Sequence, residues 1–244
     1  MSKRPEYEKM IVAFTDGACK GNPGPGGWGA IVATPEGQVK ELGGGGKDVT
    51  NNKMEMRAVI EAVRYMKDKP GDVAILTDST YVIQGITKWI WGWLKNDWHT
   101  ASGSPVTNKE LWQEMHRLVA LRQKISKISW HYVRGHIGTP GNERADDIAS
   151  TYALGQKPSF YEGSLITYDY ALYDIPEDTS IPERSQKKSG SKKKAYSYCS
   201  VIGGKFETHK TWAECEARVK GRSGARFKKA MSAAEESELR AKWT

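Results

Sequence analysis

Apolar residues along the chain follow two periods. "KMIVAFTD" is a nearly continuous apolar run that ends at Asp16, and it predicts a buried strand. "GGWGAIVAT" predicts a second strand and "QVKELGGGG" a weaker third, joined by a turn at Pro35–Gly37. In "TNNKMEMRAVIEAVRYMKD" the period changes. Met56, Val59, Ile60, Val63 and Met66 recur at three- and four-residue spacing, which predicts an amphipathic helix with Glu55 one residue into it. "DVAILTDS" reads as a fourth strand and again ends in an acid, Asp78. Two helical stretches follow, "STYVIQGITKWIWGWLKN" and "NKELWQEMHRLVALRQK", then a fifth strand in "ISKISWHYVRG". "GNERADDIASTYAL" predicts a closing helix with Asn142 as its N-cap and acids in its first turn.

This order predicts an α/β domain, a mixed five-stranded sheet with helices on both faces, spanning residues 1–155. Residues 156–194 read as an acidic, tyrosine-rich segment followed by a flexible basic linker, "ERSQKKSGSKKKA". The acidic part either packs on the first domain or spaces the units. Residues 195–244 read as a small α/β domain: apolar alternation from Tyr196, a turn at Gly203–Gly204, the helical "TWAECEARVKG" and a second helix from Ser232. Fifty residues or so is marginal for an independent fold.

Charge sharpens the division. The 244 residues carry a net charge of +8, yet residues 184–244 hold 16 Lys/Arg against 6 Asp/Glu, while residues 151–183 hold one Lys against six acids. A basic excess confined to one end points to a polyanionic partner, most often nucleic acid; a merely solvated tail is the plain alternative. No apolar run reaches the roughly 20 residues of a membrane span. The N-terminal "MSKRPEYEKM" lacks the apolar core of a signal peptide. Cys19, Cys199 and Cys215 are too few for a disulfide framework and lack metal-finger spacing. A cytoplasmic location with free thiols, no membrane partner and a monomeric state are expected.

Asp16 and Asp78 end separate strands, Glu55 opens a helix, and Asp146 lies near the start of another. Carboxylates drawn together repel one another unless hard cations sit among them. Two Mg²⁺ ions roughly 4 Å apart could then clamp an in-line phosphodiester displacement. Spacing alone leaves ordinary turn and first-turn chemistry open for each acid.

Four blocks in order, "FTDGACKGNPGPGGWGAI", "TNNKMEMRAVIEA", "LTDSTYVIQGI" and "VRGHIGTPGNERAD", resemble the type 1 ribonuclease H family over roughly residues 8–155. The resemblance implies the ribonuclease H-like fold and an endonuclease that cuts the RNA strand of RNA–DNA hybrids, leaving 5′-phosphate and 3′-hydroxyl ends. It implies two Mg²⁺ per site, with Mn²⁺ as a substitute, held by Asp16, Glu55, Asp78 and Asp146. Asp16 would bridge the ions, Asp146 serving the nucleophile side and Glu55 and Asp78 the leaving-group side. The neighbouring Asp147 points about 100° away on a helix. His136 matches the family's mobile histidine, and Glu143 the acid near the nucleophile-side ion.

Asn22, Asn51, Asn52 and Thr80 stand beside the acids in sequence and are neutral groups of the kind that read 2′-hydroxyls across a shallow minor groove. The resemblance implies that Asn22, Asn51 and the Cys19 backbone face that groove, with Thr50 and Asn22 near a DNA phosphate. The family often has Gln where this chain has Thr80, whose reach is shorter. "KWIWGWLKNDWHTASGSPVTNK" resembles the substrate-handling protrusion, with Trp89 as the aromatic beside the DNA path. A non-catalytic hybrid binder and a DNA-cutting relative are the competing readings.

"YCSVIGGKFETHKTWAECEARVKGRSGARFKKA" resembles the small hybrid-binding (caulimovirus viroplasmin-like) domain of eukaryotic ribonucleases H, which normally stands at the N-terminus. It implies Trp212 and Phe227 stacking on deoxyriboses, with Tyr198, Lys228 and Lys229 on phosphates. The alternative is that both aromatic side chains form the core of a tiny domain.

Overall fold

The computed structural model describes residues 4–135, 138–182 and 195–243. His136 and most of the basic linker, residues 183–194, lie outside the described residues.

A short helix α1 (Arg4–Tyr7) leads into an antiparallel meander of β1 (Ile11–Cys19), β2 (Gly24–Ala33) and β3 (Gln38–Val49). Helix α2 (Asn51–Met66) then crosses back to β4 (Val73–Thr77), which pairs parallel with β1. Next come α3 (Thr80–Gln84), a π-helical turn (Gly85–Trp89), α4 (Ile90–Lys95) and α5 (Lys109–Gln123). Strand β5 (Ile128–Tyr132) pairs parallel with β4, and α6 (Pro140–Ala153) follows.

Strand alternation divides the core. Ile11, Ala13, Ala30, Val32, Val73 and Ile75 pack on one face with α2 and α5; Val12, Phe14, Ile31, Ala74 and Leu76 pack on the other with Ala145 and Ile148 of α6.

The sheet has six strands, ordered β5-β4-β1-β2-β3-β6, where the sequence predicts five. The sixth, β6 (Glu162–Ser164), comes from the acidic segment and pairs antiparallel with β3, with an ion pair between Lys40 and Glu162 beside it. It covers the unpaired backbone edge that β3 would otherwise expose. A 3₁₀ turn (Leu165–Thr167) follows. Leu172 and Ile175 are buried, and Tyr161, Tyr168, Tyr170 and Tyr173 pack against the same core. The first unit therefore runs to Pro182, beyond the expected end near residue 155.

Two local expectations need correction. Helix α2 starts at Asn51, capped by the Thr50 hydroxyl, so Glu55 is its fifth residue. Helix α6 starts at Pro140 with Thr139 at the N-cap position, and Asn142 is buried inside the first turn. Pro at the first helical position, with φ already set and no N–H to leave unpaired, fixes that start.

The second unit has its own sheet, ordered β8-β7-β9, of β7 (Ser197–Ile202), β8 (Lys205–His209) and β9 (Arg226–Ala230). Helix α7 (Trp212–Val219) opens with a capping box between Thr211 and Glu214. Helix α8 (Ala233–Trp243) packs Leu239 against Cys199 and Ala230. No helix among the described residues is long and apolar enough to cross a membrane.

Candidate active site

β1 and β4 run parallel, and their pairing ends at Thr15 opposite Thr77. The next residue on each strand is the acid, so Asp16 and Asp78 stand side by side at one end of the sheet. Strands alternate, so Asp16 shares the face of Val12 and Phe14, the face that carries α6. Asp146 projects from α6, half-buried, with its Oδ1 accepting from the Ser150 hydroxyl at 3.2 Å. Asp147 is exposed.

Two glycines allow this convergence. A Cβ on Gly17 would lie 2.2 Å from the Glu55 backbone nitrogen, so the first turn of α2 rests directly on β1. A Cβ on Gly29, the pairing partner of Asp16, would lie 2.2 Å from the Ala145 carbonyl, so α6 rests directly on β2. The glycine-rich stretch is thus mostly strand, and its missing side chains are where helices land.

Glu55 is braced from two sides. Its Oε1 accepts from the Asn51 amide at 2.8 Å and its Oε2 from the Ser79 hydroxyl at 2.5 Å. Ser79 also caps α3. The sequence shows Ser79 as a cap by its place before a helix, but gives no sign of its reach to Glu55. Burial, then the charge on Asp78, pushes the Glu55 carboxyl up despite these two hydrogen bonds.

Asp16 is the most perturbed of the acids. It is 6 % exposed, and its pKa is pushed up to about 8. Burial is the main cause, followed by the charges of Asp78 and Asp146; the Gly17 N–H, 2.6 Å from Oδ1, pulls the other way, and Glu55 adds a smaller upward push. The four acids thus share one electrostatic environment. Among the described residues, no three acidic, histidine or cysteine side chains already stand close enough to hold an ion as they are. The donor set is nonetheless all carboxylate oxygen, which fits hard divalent cations.

The other predicted residues lie around this cluster. Glu143 is exposed in the first turn of α6 and its Oε1 accepts from the Gly138 N–H at 2.9 Å, beside the stretch that contains His136. Asn22 is exposed, and its Oδ1 accepts from the Asn51 N–H at 3.3 Å, which ties the β1–β2 turn to α2. The Cys19 thiol reaches the Val49 carbonyl at 3.0 Å. Asn52 is exposed on α2, and Thr80 opens α3. Trp89 is half-buried, with its ring centre 5.9 Å from both Tyr81 and Trp93. Trp91 is 57 % exposed, while Trp98 and Trp112 are buried.

In the second unit Trp212 is 41 % and Phe227 51 % exposed, so neither forms the core, which is built from Cys199, Ala230 and Leu239. Tyr198, Trp212 and Phe227 make a continuous aromatic run with centroid spacings of 5.9 and 5.4 Å. Tyr198 pairs with Lys229 and Ser200 with Phe227, so Lys229 shares the aromatic face. Lys228, one residue earlier, points to the opposite face of the edge strand β9.

A mixed sheet with acids from four separate elements at one end defines an α/β protein with an anionic, oxygen-donor site. The family model for RNase H matches residues 8–153, and the chain belongs to that family. The protein is thus a ribonuclease H enzyme. It is 55 % identical over 141 residues to the ribonuclease H of Acidovorax sp. (strain JS42), covering 58 % of this chain and 93 % of that protein. The ribonuclease H of Brucella anthropi is 50 % identical over 155 residues, covering 64 % of this chain and 95 % of that protein. A solved structure of LC9-RNase H1, a type 1 RNase H with the type 2 active-site motif, is similar with a TM-score of 0.55 and 30 % identity over 72 % of this chain and 89 % of that one.

Proposed function

We propose that this chain is an endoribonuclease that hydrolyses the RNA strand of RNA–DNA hybrids, with Asp16, Glu55, Asp78 and Asp146 holding two divalent cations, Mg²⁺ by preference. The observation that carries the reading is the meeting of acids from β1, α2, the end of β4 and α6 at one end of the sheet, where Asp16 is 6 % exposed and burial and the neighbouring acids push its carboxyl up. A carboxyl so placed is costly without a cation and becomes useful with one. Cations bound there would neutralise charge on the attacking water and on the departing 3′ oxygen. Water attacks phosphorus, the 3′ oxygen leaves, and the products carry a 5′-phosphate and a 3′-hydroxyl.

The chain's own residues do the positioning. The Gly17 N–H fixes the rotamer of Asp16, and Asn51 and Ser79 hold Glu55 from opposite sides. Asn22 and Asn52 offer exposed neutral groups suited to 2′-hydroxyls, with Thr50, Thr80 and the Cys19 backbone beside them. Trp89 lies toward the DNA strand. His136 and Glu143 assist proton transfer or product release on the nucleophile side.

The second unit raises affinity for the hybrid. Half-exposed aromatic rings in a row suit stacking on sugars and bases, and flanking lysines suit phosphates. Trp212, Phe227, Tyr198 and Lys229 carry this role on one face, and Lys228 adds positive charge from the other face of the edge strand. Tethering such a unit raises the local concentration of substrate and leaves the chemistry unchanged. Asp16→Asn separates catalysis from binding: the variant is expected to bind hybrid and to lose cleavage by more than about a hundredfold. Cleavage at the wild-type rate would overturn the assignment of the site.

A further inference from the structure

Glu41 lies within β3 in a polar, glycine-rich run, yet it is 1 % exposed. Its Oε1 accepts from Arg144 Nε at 2.7 Å and from the Tyr168 hydroxyl at 2.6 Å. Its Oε2 accepts from Arg144 Nη2 at 2.9 Å and from the Tyr161 N–H at 2.9 Å. Arg144 also donates to the Ser159 carbonyl at 3.0 Å, and its guanidinium lies 5.6 Å from the centre of the Tyr170 ring. A buried carboxylate with four donors, two of them from one planar fork, is a fixed joint.

Three stretches meet at this joint: β3, α6 and residues 159–170. Around it, residues 157–182 form a belt across the α6 face of the sheet. Phe160 packs on Tyr152 of α6 with centroids 6.3 Å apart, and β6 pairs with β3. Leu172 and Ile175 fill the core beyond it. At the far end, the Thr179 carbonyl accepts from the Tyr132 N–H of β5 at 2.9 Å. The belt thus reaches from β3, on one side of the sheet, to β5, the edge strand on the other.

We propose that this belt positions α6, and with it Asp146, through Arg144. Two residues along a helix turn about 200°, so Arg144 and Asp146 leave α6 on nearly opposite sides. Asp16 and Asp146 face one another across this end of the sheet. The joint on the other side of the helix fixes its distance from β3 and its rotation. Arg144, Glu41 and Tyr168 are positioning residues, and the proposal rests on the reading of Asp146 as a cation ligand.

The test uses the full chain. Thermal melting with increasing Mg²⁺ and no substrate gives the Mg²⁺ concentration for half the stabilisation, and hybrid cleavage gives the concentration for half-maximal rate. Tyr168→Phe and Arg144→Lys are expected to raise both midpoints by about three- to tenfold, less than the loss from disturbing a group that touches a ligand directly. The KM for hybrid at saturating Mg²⁺ should stay within about twofold. Val119→Ala, a buried change on α5, lowers stability and leaves both midpoints in place. Variants that melt earlier but keep the wild-type Mg²⁺ midpoints would overturn the positioning role. A wild-type chain indifferent to Mg²⁺ in both measurements would instead overturn the site reading, and the proposal with it.

Discussion

Replacing Asp16 with Asn should stabilise the cation-free protein, and by more as the pH rises. The carboxyl titrates at 3.8 in an ordinary setting and at about 8 in the fold. Between those values the folded state keeps a proton that the unfolded chain has lost. The favourable contribution is therefore complete below pH 3.8, declines as pH rises, and is gone once pH passes the folded value near 8. The full difference sets a ceiling of roughly 6 kcal/mol. Relaxation and water entry at the open end of the sheet reduce this, so the expected gain for Asp16→Asn above pH 8 is roughly 1–3 kcal/mol. In a unit of this size each kcal/mol moves Tm by about 2–4 °C. The Asn side chain keeps the shape and an oxygen for the Gly17 N–H. Melting followed by circular dichroism in EDTA, from mildly acidic pH to pH 8.5, should show the two proteins converging at the acid end. At the alkaline end the Asp16→Asn variant should melt roughly 3–10 °C higher. A Tm difference independent of pH, or an Asp16→Asn protein less stable at pH 8.5, would refute the electrostatic account of the site.

Four further outcomes follow from the same structure. Arg144→Met leaves the Glu41 carboxylate buried and under-paired, so urea denaturation should show a loss of about 3–5 kcal/mol. Asp146→Asn should cut hybrid cleavage by more than about a hundredfold while the exposed Asp147→Asn stays within about threefold, as measured under single-turnover conditions. Trp212→Ala with Phe227→Ala should raise KM for hybrid and leave kcat unchanged. Lys229→Gln should flatten the dependence of log affinity on log salt by about one phosphate contact, measured by fluorescence anisotropy.

The five main strands were legible as short apolar runs bounded by turn residues, and helices α2, α5 and α6 by three- to four-residue spacing or by their first-turn residues. That four acids would meet at one end of the sheet was legible because they sit at element ends, in motifs whose order is specific. The belt of residues 157–182 was not legible, because its burial works through Tyr161, Tyr168, Tyr170 and Tyr173, whose hydroxyls find partners or water and whose spacing follows no period. Glu41 lies in the weaker third strand, "QVKELGGGG", where nothing local marks it as buried. Its burial depends on Arg144, 103 residues away, and no local signal carries that. Asn142 reads as a cap by residue type, but Pro140 sets the start of the helix three residues earlier, with Thr139 at the cap position. The glycines of β2 fall in a predicted strand with no local reason to be glycine. Their reason is the close approach of α6 at Gly29, a contact between elements more than a hundred residues apart.

The most direct test of the central claim is cleavage of strand-labelled RNA–DNA hybrid, double-stranded RNA and double-stranded DNA, each with Mg²⁺ and with EDTA. The account predicts cutting of the RNA strand of the hybrid alone, in Mg²⁺ alone, with 5′-phosphate on the new ends. Cutting of double-stranded RNA or of DNA at a comparable rate, or hybrid cleavage that survives EDTA, would contradict it.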